Sequence, residues 1–97
     1  MAQRLSDTAI QEQIRTVPDW SLEGSTLTQS FKFKDFLEAI AFVNRLVEPA
    51  EAAGHHPDIS ISYNTVAIAL TTHDAGGLTQ LDFNLASVIS QIAKSLS

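Results

Sequence analysis

The stretch DISISYNTVAIALTTH (residues 58–73) alternates apolar and polar residues on both sides of a short polar break. Alternation over five or more residues is typical of a half-buried β-strand, because successive side chains point to opposite faces of a sheet. We therefore predict two antiparallel strands that form a hairpin, with Asn64 and Thr65 as its two-residue turn.

This turn would set the register of the hairpin. It places Tyr63 opposite Val66 and, when the ladder is extended, His56 opposite His73. The side chains of these two histidines would then share one sheet face with small residues, namely Ser60, Ser62, Ala67 and Ala69. The isoleucines and the leucine of the two strands would line the opposite, core-facing side.

A long helix is predicted before this hairpin. Asp35 followed by Glu38 forms a capping-box pattern, which is typical of a helix N-terminus. Behind it, apolar residues recur every three or four positions, as on one face of a helix: Phe36, Ile40, Val43, Val47 and Ala50.

The end of this helix contains a proline. Because an interior proline removes a hydrogen bond and its ring meets the carbonyl four residues back, Pro49 predicts one of two outcomes. The helix would be kinked there, or it would end near Glu48 and be followed by a fresh turn from Pro49 to Ala53. Gly54 would then close it in a left-handed conformation.

Three further elements complete the pattern. A short N-terminal helix is predicted in LSDTAIQEQIRTV (residues 5–17), capped by Ser6 or Asp7, and a hairpin around Gly24 in WSLEGSTLTQSFKF (residues 20–33). A final amphipathic helix follows Thr79, its predicted N-cap. The predicted fold is α+β, with a four-stranded antiparallel sheet and three helices packed on one face, in the order α-β-β-α-β-β-α.

Composition limits the functions that the chain can have. Its 97 residues predict a single domain, residues 1–97. A net charge of −5 with only six lysines and arginines argues against nucleic acid as the partner. No apolar run is long enough for a membrane span or a signal peptide, and the absence of cysteine fits the cytoplasm. We expect a neutral small molecule or another protein as the partner.

The three histidines are the candidate chemical groups. His55, His56 and His73 lie within one short segment, and the predicted hairpin should gather them. The unperturbed pKa of an imidazole is about 6.5, so one ring can donate a proton while another accepts one near neutral pH. Glu51, four residues before His55, is placed to orient the His55 ring if the helix continues.

Structural explanations compete with these assignments. Three imidazoles can also bind zinc, but adjacent strand residues such as His55 and His56 point to opposite faces, which disfavours a shared ion. Metal binding therefore ranks below acid–base chemistry. The other three candidates also have purely structural explanations: Glu51 could be a solvated helix carboxylate, Asp82 only a capping residue and Tyr63 only a core aromatic.

The spacing of these residues resembles a known signature. The pattern joins Glu51, His55-His56-Pro57, Tyr63, His73 and Asp82 at fixed intervals and is similar to that of the pterin-4a-carbinolamine dehydratases. The segments FKFKDF, AFVNRL, GGLT and LDFNLASVI also resemble that family, so the similarity spans nearly the whole chain.

The resemblance implies a hydro-lyase that needs no cofactor or metal. It would remove water from 4a-hydroxytetrahydrobiopterin, or a related 4a-hydroxytetrahydropterin, and so support tetrahydropterin recycling. His55 and His73 would be the acid and the base, in an order that stays open, with His56, Tyr63 and Asp82 binding the pterin. Glu51 would tune His55.

The resemblance also implies partners. The substrate would come from an aromatic amino acid hydroxylase, and the chain would form a homodimer or a homotetramer, with edge strands of two subunits joined into one sheet. Some members of the family act through protein contacts instead, as assembly factors or dimerisation cofactors. A non-catalytic protein-binding module is therefore the alternative function, although such a module has no need of the complete histidine set.

Overall fold

The computed structural model describes residues 2–96, and within them three helices cover one face of a four-stranded antiparallel sheet. The helices are α1 (Asp7–Gln13, continued by a 3₁₀ turn at Ile14–Thr16), α2 (Phe36–Ala53) and α3 (Gln80–Leu96). The strands are β1 (Ser21–Glu23), β2 (Thr26–Lys32), β3 (Asp58–Ser62) and β4 (Thr65–Leu70). This order confirms the predicted fold class.

The sheet has the order β1-β2-β4-β3, which leaves β1 and β3 as its two edges. Alternate residues of the two central strands face the helices, as Leu27 on β2 faces Leu70 on β4. The core lies between these strands and the helices and contains Phe42, Leu46, Phe83 and Ile89, all of them buried.

The helix N-termini follow the predicted capping patterns. The Ser6 side chain accepts a hydrogen bond from the Ala9 backbone at 3.1 Å, and Asp35 accepts one from the Glu38 backbone at 2.8 Å. These bonds satisfy backbone N–H groups that have no partner within the first turn of a helix. Ser6, the first of the two predicted caps of α1, is confirmed.

Helix α2 differs from its prediction at Pro49. It does not end near Glu48 but continues through the proline to Ala53, and Gly54 follows with a φ of 61°. Beyond the proline, Ala50 is buried, and its carbonyl accepts hydrogen bonds from the backbones of Gly54 and His55. Packing and these closing bonds hold the last turn, so the one hydrogen bond that proline cannot make does not stop the helix.

The predicted register of the β3–β4 hairpin is wrong by two residues. Ile61 pairs with Val66 and Ile59 with Ile68, so the turn consists of Tyr63 and Asn64. Asn64 is held by Phe33, the residue that follows β2: the Asn64 backbone carbonyl accepts from the Phe33 backbone N–H, and the Asn64 side-chain amide donates to the Phe33 carbonyl, both at 2.8 Å. A shift of two residues keeps every side chain on its predicted face, since the strand repeat is two.

Candidate active site

The site lies where α2 ends, β3 begins and β4 leaves the sheet. Gly54 adopts a left-handed backbone, a conformation that glycine allows without the strain that a Cβ brings. The His55 backbone N–H then donates to the Ala50 carbonyl at 3.1 Å. This closing motif reverses the chain, turns His55 toward the interior and leaves His56 at the surface.

A tight loop after β4 positions the third histidine. His73 lies in a 3₁₀ turn (His73–Ala75), and backbone hydrogen bonds in both directions between Thr72 and Gly77 close the loop around it. Gly76 ends the turn with a φ of 75°. The corrected register removes the predicted pairing of His56 with His73, because His73 lies outside the β3–β4 ladder.

The three histidines nevertheless converge, as the sequence predicted. They line one open pocket of about 250 Å³ together with Gly54, Thr71, Thr72 and Asp74. His55 is 8% exposed and forms part of the pocket wall, whereas His56 and His73 are exposed. The pocket therefore combines one largely buried imidazole, which forms part of its wall, with two exposed ones.

His55 is held by Asp82. Its Nε2 lies 2.6 Å from Oδ1 of Asp82, which is completely buried in the first turn of α3. The second carboxylate oxygen accepts hydrogen bonds from the Thr72 hydroxyl at 2.8 Å and from the Thr79 backbone at 2.9 Å. A ligand in the pocket would meet Asp82 only through these partners, so the structure favours an indirect role for it. Direct binding of substrate by Asp82 stays a prediction.

Glu51 has a different partner from the one predicted. Its Oε2 lies 2.5 Å from Nε2 of His56, and both side chains are about two-thirds exposed, at 67% and 64%. The prediction that Glu51 tunes His55 is wrong at the level of contact, because the reversal at Gly54 turns His55 away from the helix surface. Glu51 is placed to orient His56 instead.

An apolar groove adjoins the histidine pocket. It has a volume of about 220 Å³ and lies between α2 and β3. His56 lines both the pocket and the groove, and so marks the boundary between them. The other groove residues are Val43, Leu46, Val47, Ala50, Glu51, Pro57 and Ile59.

Tyr63 is not brought to the histidines. It lies in the turn after β3, is 65% exposed and has a φ of 52°. The five residues of β3 separate it from the pocket, which is about 16 Å at roughly 3.3 Å per residue. The alternative that Tyr63 is an aromatic residue of the core is therefore wrong. Its role in substrate binding stays a prediction.

Two threonines of the site were not predicted to belong to it. Thr72 and Thr79 both bond to Asp82, but Thr79 was expected only as a helix cap and Thr72 not at all. The alternation of β4 contains the signal for Thr72, because the inward series Val66, Ile68, Leu70 continues to position 72.

Among residues 2–96, no group of three or more histidine, cysteine, aspartate or glutamate side chains is arranged to hold a metal ion. Within the same range, no helix is both long and apolar enough to cross a membrane.

Comparison with known proteins identifies the family. Residues 3–92 match the family model of pterin 4 alpha carbinolamine dehydratase. A candidate pterin-4-alpha-carbinolamine dehydratase from Nostoc sp. is 68% identical over 92 residues, which cover 95% of this chain and 99% of the relative. One from Cyanothece sp. is 67% identical over 94 residues, 97% of each chain.

Solved structures show the same fold. The transcriptional coactivator/pterin dehydratase from Brucella melitensis matches with a TM-score of 0.88 at 36% identity, over 94% of this chain and 99% of that one. A pterin dehydratase-like RuBisCO assembly factor of the alpha-carboxysome matches with a TM-score of 0.62 at 23% identity, over 76% and 86%. That likeness concerns the fold alone. On the family match and these identities, the chain belongs to the pterin 4 alpha carbinolamine dehydratase family.

Proposed function

We propose that the protein dehydrates 4a-hydroxytetrahydrobiopterin, or a related 4a-hydroxytetrahydropterin, to the quinonoid dihydropterin and water. One observation carries this proposal: the three histidines converge on one pocket in a chain whose family is named for that reaction. The reaction supports recycling of the tetrahydropterin.

The proposed chemistry is acid–base catalysis. The bond between C4a and its hydroxyl oxygen breaks as that oxygen takes up a proton and leaves as water. A ring nitrogen loses a proton, and its electrons form the new carbon–nitrogen double bond. His55 and His73 are the proposed pair for these transfers, because both rings line the pocket in which the substrate would lie.

His56 is proposed to bind the pterin. It lies on the boundary between the polar pocket and the apolar groove, so it can contact the polar and the apolar parts of a ring system. Glu51 orients it through the bond to Nε2, which leaves Nδ1 of His56 available to the ligand. The pterin is the substrate, and no further cofactor is proposed.

No metal is proposed either. The carbinolamine also loses water without a catalyst, so the barrier that the enzyme must lower is modest, and proton transfer alone typically contributes 10²- to 10⁴-fold. A chelator should therefore leave the reaction unaffected.

The test is the dehydration rate of an enzymatically generated 4a-hydroxytetrahydropterin, followed by absorbance. We expect the protein to accelerate dehydration above the rate in buffer, equally with and without chelator. A folded protein that gives no acceleration would refute the proposed activity. Acceleration that a chelator abolishes would refute the metal-free mechanism alone.

The proposal extends to the setting of the reaction. The substrate would be released by an aromatic amino acid hydroxylase, and the proposed location is the cytoplasm. A mixture of such a hydroxylase with this protein should accumulate less carbinolamine than the hydroxylase alone, which absorbance can follow.

A protein-binding role is the second candidate. The Brucella relative is described both as a transcriptional coactivator and as a pterin dehydratase, and this chain exposes apolar side chains on α2, with Leu37 79% exposed and Val47 59% exposed. The two functions separate experimentally. Substitution of the pocket histidines should abolish dehydration and leave protein binding through α2 intact.

Self-association is proposed through the β3 edge. All five residues of β3 are exposed in the single chain, among them Ile59 and Ile61, and Ile59 lines the apolar groove together with the exposed Val47 of α2. An open strand edge with apolar neighbours favours pairing with a second copy, as a homodimer or as part of a homotetramer.

A further inference from the structure

A buried chain of hydrogen bonds leads from helix α3 to His55. The Leu81 backbone N–H donates to the Thr79 hydroxyl oxygen at 3.2 Å, and the two hydroxyl oxygens of Thr79 and Thr72 lie 2.8 Å apart. The Thr72 hydroxyl is 2.8 Å from Oδ2 of Asp82, and Oδ1 of Asp82 is 2.6 Å from Nε2 of His55. Four residues of this chain, Thr72, Thr79, Asp82 and His55, are buried.

The direction of these bonds follows from counting protons. Each threonine hydroxyl has one proton, and a backbone N–H can only donate. Because Thr72 donates its proton to Asp82, the bond between the two threonines must use the proton of Thr79. Thr79 in turn accepts from Leu81, so every bond in the chain points toward Asp82.

The Thr79 backbone N–H adds a second donor to the same oxygen, Oδ2. Oδ2 therefore already has two donors, and Oδ1 has His55 as its partner. An ionised carboxylate can only accept, so His55 must donate to it from Nε2. In the neutral imidazole the other nitrogen, Nδ1, then has the free lone pair.

This free nitrogen is accessible. Among residues 2–96, every buried side-chain nitrogen and oxygen has a hydrogen-bond partner, and Nδ1 of His55 has no partner in that range. It follows that Nδ1 reaches solvent, and the His55 ring lines the histidine pocket. The proton acceptor is thus presented to the place where the substrate would lie.

We infer that Asp82 fixes the proton of His55 on Nε2 and that Thr72 orients Asp82, so that both are positioning residues and His55 acts as the base of the reaction through Nδ1. The inference rests on the proposed function and assigns the roles that the sequence left open. His73, which is exposed and lines the same pocket, is then the acid. Asp82 contacts Nε2 of His55, and Thr72 contacts Asp82, so in this inference both residues act through the ring of His55.

The first test is the position of the His55 proton, measured by NMR of the imidazole nitrogens at a pH where the ring is neutral. In the unmodified protein the proton should lie on Nε2, and a proton on Nδ1 would overturn the inference. This measurement needs no substrate, so its result stands even if the protein shows no dehydratase activity.

The second test is Asp82→Asn, which keeps the shape of the side chain. Thr72 and the Thr79 backbone both donate to the Oδ2 position, so the introduced amide must place its oxygen there and its NH₂ group toward His55. Nε2 would then have to accept, and the proton should move to Nδ1. The expected fall in kcat is roughly 10²-fold or more, as for a catalytic histidine held in the wrong tautomer. The inference would be contradicted if the proton of His55 stays on Nε2 in Asp82→Asn, or if the proton moves to Nδ1 and kcat is unchanged.

The third test is Thr72→Val, compared with Thr72→Ser and with Thr28→Val as a matched control. Thr28 lies on β2 and does not line the histidine pocket, and its hydroxyl donates to Glu23 and not to Asp82. Loss of the Thr72 hydroxyl removes one of the two donors to Oδ2, so it should loosen the orientation of Asp82 and of the His55 ring. We expect kcat to fall about 10-fold with KM unchanged, the size of effect known for outer partners of bound histidines, while the His55 proton stays on Nε2 because the carboxylate remains. Thr72→Ser should restore kcat, and Thr28→Val should resemble the unmodified protein. If Thr72→Val keeps full kcat, Thr72 has no positioning role.

Discussion

The three histidines share a pocket but not an environment. His55 is buried against a carboxylate that is itself fully buried, whereas His56 meets its carboxylate partner at the surface. His73 is exposed in a turn closed by backbone hydrogen bonds. Because a buried hydrogen bond to a charged group is worth more than an exposed ion pair, substitutions near His55 and near His56 should differ in their effects.

Glu51→Gln tests this difference at the exposed site. Exposed ion pairs contribute about 0–1 kcal/mol, so KM should rise by at most roughly fivefold, with kcat and thermal stability nearly unchanged. Glu48→Gln is the matched control, since Glu48 is exposed one turn earlier on α2. Steady-state kinetics of the two variants provide the comparison. A large fall in kcat for Glu51→Gln would show that Glu51 takes part in proton transfer.

The sequence identified the residues of the site better than the contacts that they make. His55, His56 and His73 were expected to meet, and they do. The partner of Glu51 could not be predicted from a spacing of four, because that spacing assumes a helix and Gly54 ends the helix between the two positions. The bonds of Asp82 depend on Thr72, which belongs to a different element.

The helix end at Gly54 is the element on which the site depends most directly. It turns His55 inward, where Asp82 meets it, and leaves His56 beside Glu51. A second glycine, Gly24 in the β1–β2 turn, has the same φ of 61°, and a Cβ at either glycine would meet no atom within 4 Å. The two glycines therefore differ in location and not in local strain.

This pair allows a controlled prediction. Gly54→Ala and Gly24→Ala should each lower the free energy of unfolding by about 1 kcal/mol, the cost of a left-handed backbone for an L-residue. Only Gly54→Ala should also lower the dehydration rate, because it disturbs the reversal that places His55. Denaturant unfolding and rate measurements on both variants check this. Equal rates in the two variants would mean that the helix end does not control His55.

The helices and strands could largely be predicted from the sequence, but the turns and helix ends that connect them could not. Alternation identified β3 and β4, and capping patterns identified the starts of α2 and α3. The turn between the strands was misplaced because Tyr63 occupies a position with positive φ, which bulky residues rarely adopt. Bonds between Asn64 and Phe33, which is distant in sequence and directly follows β2, hold that turn in place.

The exposed apolar surface is a property of the whole molecule. The two edge strands expose similar apolar side chains, with Leu22 on β1 37% exposed and Ile61 on β3 40% exposed. Only β3 also lies beside an apolar groove formed with α2. The sequence predicted the order of helices and strands along the chain. Which strands become the edges depends on the order of strands within the sheet, which the sequence did not predict.

Ile61→Lys and Leu22→Lys test which edge pairs with a second copy. A lysine on an edge strand opposes strand addition, so Ile61→Lys should shift the protein toward the monomer, whereas Leu22→Lys should not. Sedimentation over a range of concentrations measures the shift. An unmodified protein that sediments as a monomer throughout, or an equal effect of both variants, would rule out pairing through β3.

The central claim is that His55 and His73 carry out the dehydration. The most direct measurement is the rate of carbinolamine dehydration by His55→Gln and His73→Ala, beside the unmodified protein and with folding checked by circular dichroism. Glutamine at position 55 keeps an N–H group for Asp82, so the hydrogen-bond chain can survive the loss of the imidazole. The account predicts that each substitution lowers the rate roughly 10²-fold or more. Folded variants that dehydrate the carbinolamine as fast as the unmodified protein would contradict it.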